Sequence, residues 1–161
     1  MSTSAPTLGT LVRHLLELLD REVEAAYAAA GLKWRPRYTP VLRALLELGP
    51  TSIKAVALAT GVSHSAISQT VSQMASEGLV ALTPGVDARE RIVVLTAKSE
   101  ALVPALRRQW TATNAAAAEL DAELSAPLAE ILREAISALG QRSFGERITV
   151  AVAAVSTSDQ S

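Results

Sequence analysis

A mainly helical protein carrying one small β-hairpin is the fold class predicted for this chain of 161 residues. Three observations predict it. Apolar residues recur at spacings of three and four near both ends of the chain, which is the period of an amphipathic helix. Two short helical runs flank Thr60-Gly61-Val62 in the middle. Directly after them, LVALT and RIVVLT, rich in residues that favour strands, enclose the polar stretch PGVDARER.

The first helix is expected over residues 8–30, where Leu8, Leu11, Val12, Leu15, Leu16, Leu19, Val23, Ala26 and Tyr27 form a wide apolar stripe. The start, MSTSAPT, does not read as a signal peptide, and Arg13, His14, Glu17, Asp20 and Arg21 interrupt the apolar run. Neither a secretory nor a membrane-spanning segment fits such a pattern, so a cytoplasmic location is expected.

In the central stretch, SIKAVALAT holds Ile53, Val56, Ala57 and Leu58 as its apolar set. Gly61 suits the positive φ of a tight turn, Ala57 keeps the helix crossing close, and Val62 with Ile67 is expected to fill the gap. Ser63 is a natural N-cap for the second helix. That helix buries Ile67, Val71 and Met74 and turns Ser65, Ser68, Gln69, Ser72, Gln73 and Ser76 outward, a continuous polar face. Gly78 then ends the helix. In the hairpin, alternation assigns Val80 and Leu82 on one strand and Ile92 and Val94 on the other to the buried face, with Asp87, Arg89, Glu90 and Arg91 near the tip. Helix, turn, helix and hairpin in this order make a winged helix-turn-helix, and its domain is expected over residues 36–96.

Two further helices are expected over residues 97–140. Leu102, Leu106, Trp110, Thr113, Ala117, Leu120 and Leu124 continue the first, with a run of alanines at 115–118; Ser125, with Pro127 in the first turn, restarts the second, which carries Leu128, Ile131, Leu132, Ala135, Ile136 and Leu139. Phe144-Gly145 is expected to break the helix. Residues 141–161 then form an apolar extension, ITVAVAAV, with a polar tail, read as a helix or strand across a partner subunit or as a strap on its own subunit, in preference to a disordered tail.

Composition fits a protein with a sizeable core, at 49% hydrophobic and 19% charged residues. The formal charge of −1 provides no global attraction to nucleic acid. From residue 51 to 96, Lys54, Arg89 and Arg91 are balanced by Glu77, Asp87 and Glu90. Any DNA affinity must therefore come from local arrangement. The chain has no cysteine and two histidines, and lacks a nucleophile elbow, a phosphate-binding glycine loop and a metal-ligand cluster. No catalytic residues, metal or cofactor are expected, and an enzyme is excluded.

The stretch GPTSIKAVALATGVSHSAISQTVSQMASEGLVAL, followed by DARERIVVLT, resembles the multiple antibiotic resistance regulator (MarR) family of bacterial transcription factors. Asp87-x-Arg89 running into Leu95-Thr96 is the most specific part of the match, and the resemblance extends from the first helix to about Gly140. It implies a cytoplasmic homodimer that binds a pseudo-palindromic operator in double-stranded DNA, recognition helix in the major groove and wing in the minor groove. By position, His64, Ser65, Ser68 and Gln69 match base-reading sites. Ser52, Lys54, Ser63, Thr70 and Gln73 match backbone contacts, while Asp87, Arg89 and Arg91 belong to the wing. The first and last helices would form the dimer region. Departures are Ala88, where the family often has a second arginine, and a recognition helix with no lysine or arginine.

The resemblance further implies a repressor released by a small, often anionic aromatic effector. Candidate pocket residues are His14, Trp34, Arg35, Tyr38 and Arg43, set against the more common role of Trp and Tyr beside a proline turn as a structural plug. The basic cluster Lys33, Arg35, Arg37 and Arg43 instead suits phosphates. The competing function is a winged-helix module that binds a protein or ligand and has lost DNA binding, and the neutral recognition helix is its support.

Overall fold

The structure, a computed structural model, describes residues 5–87 and 90–158. Its elements are α1 (Leu8–Ala29), a single 3-10 turn (Pro36–Tyr38), α2 (Thr39–Leu48), β1 (Thr51–Ser52), α3 (Ile53–Thr60), α4 (His64–Ser76), β2 (Val80–Pro84), β3 (Arg91–Leu95), α5 (Ala97–Glu123), α6 (Leu128–Gln141) and α7 (Phe144–Ser158). They fall into two compact units, Met1–Thr111 and Ala112–Ser161. Among the described residues, no helix is long and apolar enough to cross a membrane.

The first unit holds the core. Tyr38, Val41, Leu42, Val56, Val71, Met74, Val93 and Leu106 are fully buried, drawing on α2, α3, α4, β3 and α5. Helix boundaries follow local chemistry. Thr7, Ser52 and Ser63 cap α1, α3 and α4, their hydroxyls accepting from the amides of Thr10, Ala55 and Ala66 at 3.3, 3.2 and 3.3 Å. Gly61 ends α3 at φ 68°, the left-handed conformation that the turn between α3 and α4 requires.

The sheet is antiparallel in the order β1-β3-β2. Opposed residues on neighbouring antiparallel strands share a face, and Leu82 lies opposite Val93 and Val80 opposite Leu95. The buried face is therefore Val80, Leu82, Val93 and Leu95, which corrects the expectation for Ile92 and Val94: register, not alternation alone, decides which set turns inward. The short strand β1 went unforeseen, because two residues carry no periodicity. Two apolar expectations in the helix-turn-helix also fail. Leu58 is 85% exposed and Val62 38% exposed, whereas Ile67 is buried with Val56 and Val71 in the core.

In the second unit, none of residues 112–155 is buried. The helical restart falls at Leu128, whose amide donates to Asp121 Oδ1 at 2.8 Å, with Pro127 at the cap position instead of inside the first turn. The extension is the helix α7. Phe144 begins that helix and does not break one, because Ser143 and Glu146 form a reciprocal capping box around its first turn.

Candidate nucleic-acid interface

The recognition surface begins with the amphipathic split of α4. Ile67, Val71 and Met74 are buried, which fixes the roll of the helix and sends the opposite stripe to solvent. On that stripe Ser65, Gln69, Ser72 and Ser76 are exposed, and His64 is exposed at the helix start. Ser68 and Thr70 are half-buried on opposite flanks. The Ser63 and Ser52 hydroxyls are engaged as caps, and Lys54 is exposed in the first turn of α3.

Gln73 sits on the flank of α4 that meets the 3-10 turn. Its Oε1 accepts from the Arg37 guanidinium, and its Nε2 donates to Glu77 Oε1 at 3.3 Å. The same Glu77 oxygen accepts from the Tyr38 hydroxyl at 2.8 Å and lies 3.9 Å from Arg35 Nη2. Burial, followed by the hydrogen bond to Glu77 and its negative charge, holds the Tyr38 phenol above the usual tyrosine range. Sequence reasoning missed Glu77, whose partners lie far away in the chain. The only available signal was its place at the end of the recognition helix.

Beyond Glu77 the chain is latched to the start of α5. Lys98 Nζ donates to the Glu77 carbonyl at 2.7 Å, and Thr96 Oγ1 reaches the carbonyls of Gly78 and Leu79 at 2.7 and 3.2 Å. Thr96 and Ser99 in turn cap α5: the Thr96 amide donates to Ser99 Oγ at 3.2 Å, and that of Ser99 to Thr96 Oγ1 at 3.4 Å.

Of the wing residues, Arg89 and its neighbour Ala88 lie outside the described residues. Asp87 is exposed and its carbonyl accepts from the Glu90 amide at 2.9 Å, which tightens the turn; Arg91 is exposed at the start of β3.

The residues proposed for an effector pocket do not all meet. A cavity of about 880 Å³ in the first unit is lined by Trp34 and Arg35 together with Glu24, Leu32, Lys33, Leu79 and Lys98, among others. Tyr38 is completely buried, packing edge-on against Trp34 with ring centroids 5.5 Å apart. Trp34 Nε1 donates to Thr39 Oγ1 at 3.1 Å. Arg43 places its guanidinium 5.7 Å from the centre of the Trp110 ring, and His14 is exposed on α1. His14, Tyr38 and Arg43 do not line the cavity.

Residues 30–90 match the model of the MarR family. No curated protein matches the chain. Among solved structures, the M. tuberculosis transcriptional regulator MOSR in complex with DNA is 24% identical with a TM-score of 0.66, over 88% of this chain and 99% of that one. A MarR family transcriptional regulator from Silicibacter pomeroyi is 26% identical with a TM-score of 0.60, over 84% and 96%. Bordetella bronchiseptica BpsR, whose DNA binding is regulated by 6-hydroxynicotinic acid, is 19% identical with a TM-score of 0.52, over 97% and 99%. The stretch that the family model matches holds α2, β1, α3, α4 and β2, and the fold of the chain is that of these solved transcriptional regulators.

Proposed function

We propose that the protein is a homodimeric repressor that binds a pseudo-palindromic operator and is released by a small-molecule effector. The observation that carries the DNA reading is the outward stripe of α4. Ser65, Gln69, Ser72 and Ser76 are exposed on a helix whose roll is fixed by three buried side chains, and glutamine there can pair bidentately with adenine. Ser68 borders this stripe and belongs to the base-reading set with His64, Ser65 and Gln69. The wing, with Asp87, Arg89 and Arg91, is assigned to the minor groove, whose negative potential suits a guanidinium.

Dimerisation is supported by apolar surface that has no cover within one subunit. Leu8, Leu11, Leu16 and Leu19 on α1 and Ile131, Ile136 and Leu139 on α6 are all at least 42% exposed. A twofold dimer would present its recognition helices to half-sites about 34–36 Å apart, one helical turn of DNA. An effector acts in this scheme by changing that separation. The cavity has three cations, Lys33, Arg35 and Lys98, against two carboxylates, Glu24 and Glu77, with Trp34, Leu32 and Leu79 as apolar walls, a lining that supports a small, partly apolar anionic effector.

The test is fluorescence anisotropy with the duplex upstream of the protein's own gene beside a scrambled duplex, combined with light scattering for mass. Selective submicromolar binding by a dimer is the expected result. A monomer, or no binding at low salt to either duplex, would replace this proposal with a module that serves another partner.

A further inference from the structure

The recognition helix has no lysine or arginine, whereas residues 33–43 hold Lys33, Arg35, Arg37 and Arg43 with no acidic residue. The four cations have different surroundings. Arg43 is stacked on Trp110, and Lys33 and Arg35 line the cavity, Arg35 beside the Glu77 carboxylate. Arg37 is exposed on the 3-10 turn, joins neither of the two ion pairs between described residues, and is hydrogen-bonded to α4 itself through Gln73.

We propose that Arg37 is the cation that anchors this protein to a DNA phosphate beside the recognition helix. The inference rests on the DNA-binding reading above and adds to it a specific backbone contact. Gln73 lies one turn beyond Gln69 and on the flank of α4, not on its outward crest. With α4 in a major groove about 12 Å wide, the crest faces base edges and the flank faces the sugar-phosphate wall. Arg37 is held at that wall from two sides. One N–H of its guanidinium goes to Gln73 Oε1, and its Cζ sits 5.8 Å from the centre of the Tyr38 ring, which is itself pinned by Glu77. A guanidinium carries five N–H donors, so the bond to Gln73 leaves donors for phosphate oxygens. Gln73, with both ends of its amide engaged inside the protein, serves as a positioning residue for Arg37. Direct contact with the backbone passes to the arginine.

The experiment is a salt series of anisotropy titrations with wild type, Arg37→Gln, Arg37→Lys and Arg43→Gln, on the cognate and the scrambled duplex. Each phosphate neutralised contributes about 0.9 to the slope of log affinity against log salt, so Arg37→Gln should lower the slope by about 0.9 per bound subunit. Its affinity should fall by a similar factor on both duplexes, leaving the specificity ratio unchanged, because a phosphate carries no sequence. Arg37→Lys should restore the slope, and Arg43→Gln should keep it. An unchanged slope in Arg37→Gln, or a loss confined to the cognate duplex, overturns the proposal and makes Arg37 a brace for α4. A wild type that binds neither duplex refutes DNA binding itself, a different failure that thermal unfolding of the same samples separates from misfolding.

Discussion

The Tyr38 hydroxyl donates to Glu77 Oε1 across 2.8 Å, joining residues 39 apart in the chain and tying the turn before α2 to the end of the recognition helix. Tyr38→Phe removes the nearest donor to that carboxylate while keeping the buried ring. A loss of about 1.5–3 kcal/mol in urea unfolding is expected, the usual net value of a hydrogen bond to a charged group. The same variant has a pH signature. The Tyr38 phenol is held above its ordinary range by burial and by Glu77, so the unfolded chain ionises first as pH rises. This part of the stability is intact below about pH 10 and is lost above it as the folded pKa is approached. The wild-type minus Tyr38→Phe difference should therefore shrink on the alkaline side, and a flat difference would refute the linkage.

Gln69 is exposed and, unlike Gln73, lies on the outward crest of α4. Gln69→Ala should leave the unfolding midpoint almost unmoved while costing about 1–3 kcal/mol of discrimination between operator and scrambled DNA. Competition anisotropy checks this, and equal losses on both duplexes would assign Gln69 to the backbone instead.

Gly61 sits at φ 68°, and a Cβ added there would meet nothing within 4 Å. The cost of Gly61→Ala is then conformational only, about 1–2 kcal/mol for a left-handed alanine, with no loss from clash. Chemical denaturation with an unchanged m-value is the expected pattern; a drop of several kcal/mol would mean that the turn itself is displaced.

At the start of α7, Glu146 Oε2 accepts from both the amide and the hydroxyl of Ser143, at 2.8 and 3.0 Å. The amide bond first, then the hydroxyl, holds the Glu146 carboxyl below the usual glutamate range. A depressed carboxylate contributes stability above its unfolded pKa of about 4.3 and loses it as pH falls through the folded value. Helicity by circular dichroism should thus fall at acid pH in wild type, and Glu146→Gln should lose part of that dependence.

Ile136 is 70% exposed within one subunit, so an aspartate in its place costs the isolated chain little. If α6 is buried in a dimer, Ile136→Asp should halve the mass measured by light scattering at micromolar concentration, because an unpaired carboxylate in an apolar interface is strongly unfavourable. A variant that remains dimeric would place the interface elsewhere.

The helix-turn-helix was legible because steric demands there are local: Gly61 for the turn, Ser63 for the cap, and Ile67, Val71 and Met74 at helical spacing all stand where the pattern put them. Errors arose where a partner distant in sequence decides. The inward face of β3 depends on register with β2, and both Ile92/Val94 and Val93/Leu95 satisfy alternation. Leu58 looked apolar enough to be buried, but nothing in the sequence reported that no element covers it. In the site, the polar crest of α4 could be read from its period, whereas the Arg37, Tyr38, Gln73 and Glu77 network could not. Its members come from two segments that only the fold brings together.

The latch at the end of α4 has a kinetic meaning. Carbonyls of Glu77, Gly78 and Leu79 are satisfied by Lys98 and Thr96, and Thr96 also caps α5. Fraying the last turn of the recognition helix therefore strips the first turn of α5 of its cap, so the two ends open together as one cooperative unit. Amide hydrogens in the last turn of α4 and the first turn of α5 should exchange with deuterium at matching opening free energies, and Thr96→Val should lower both at once.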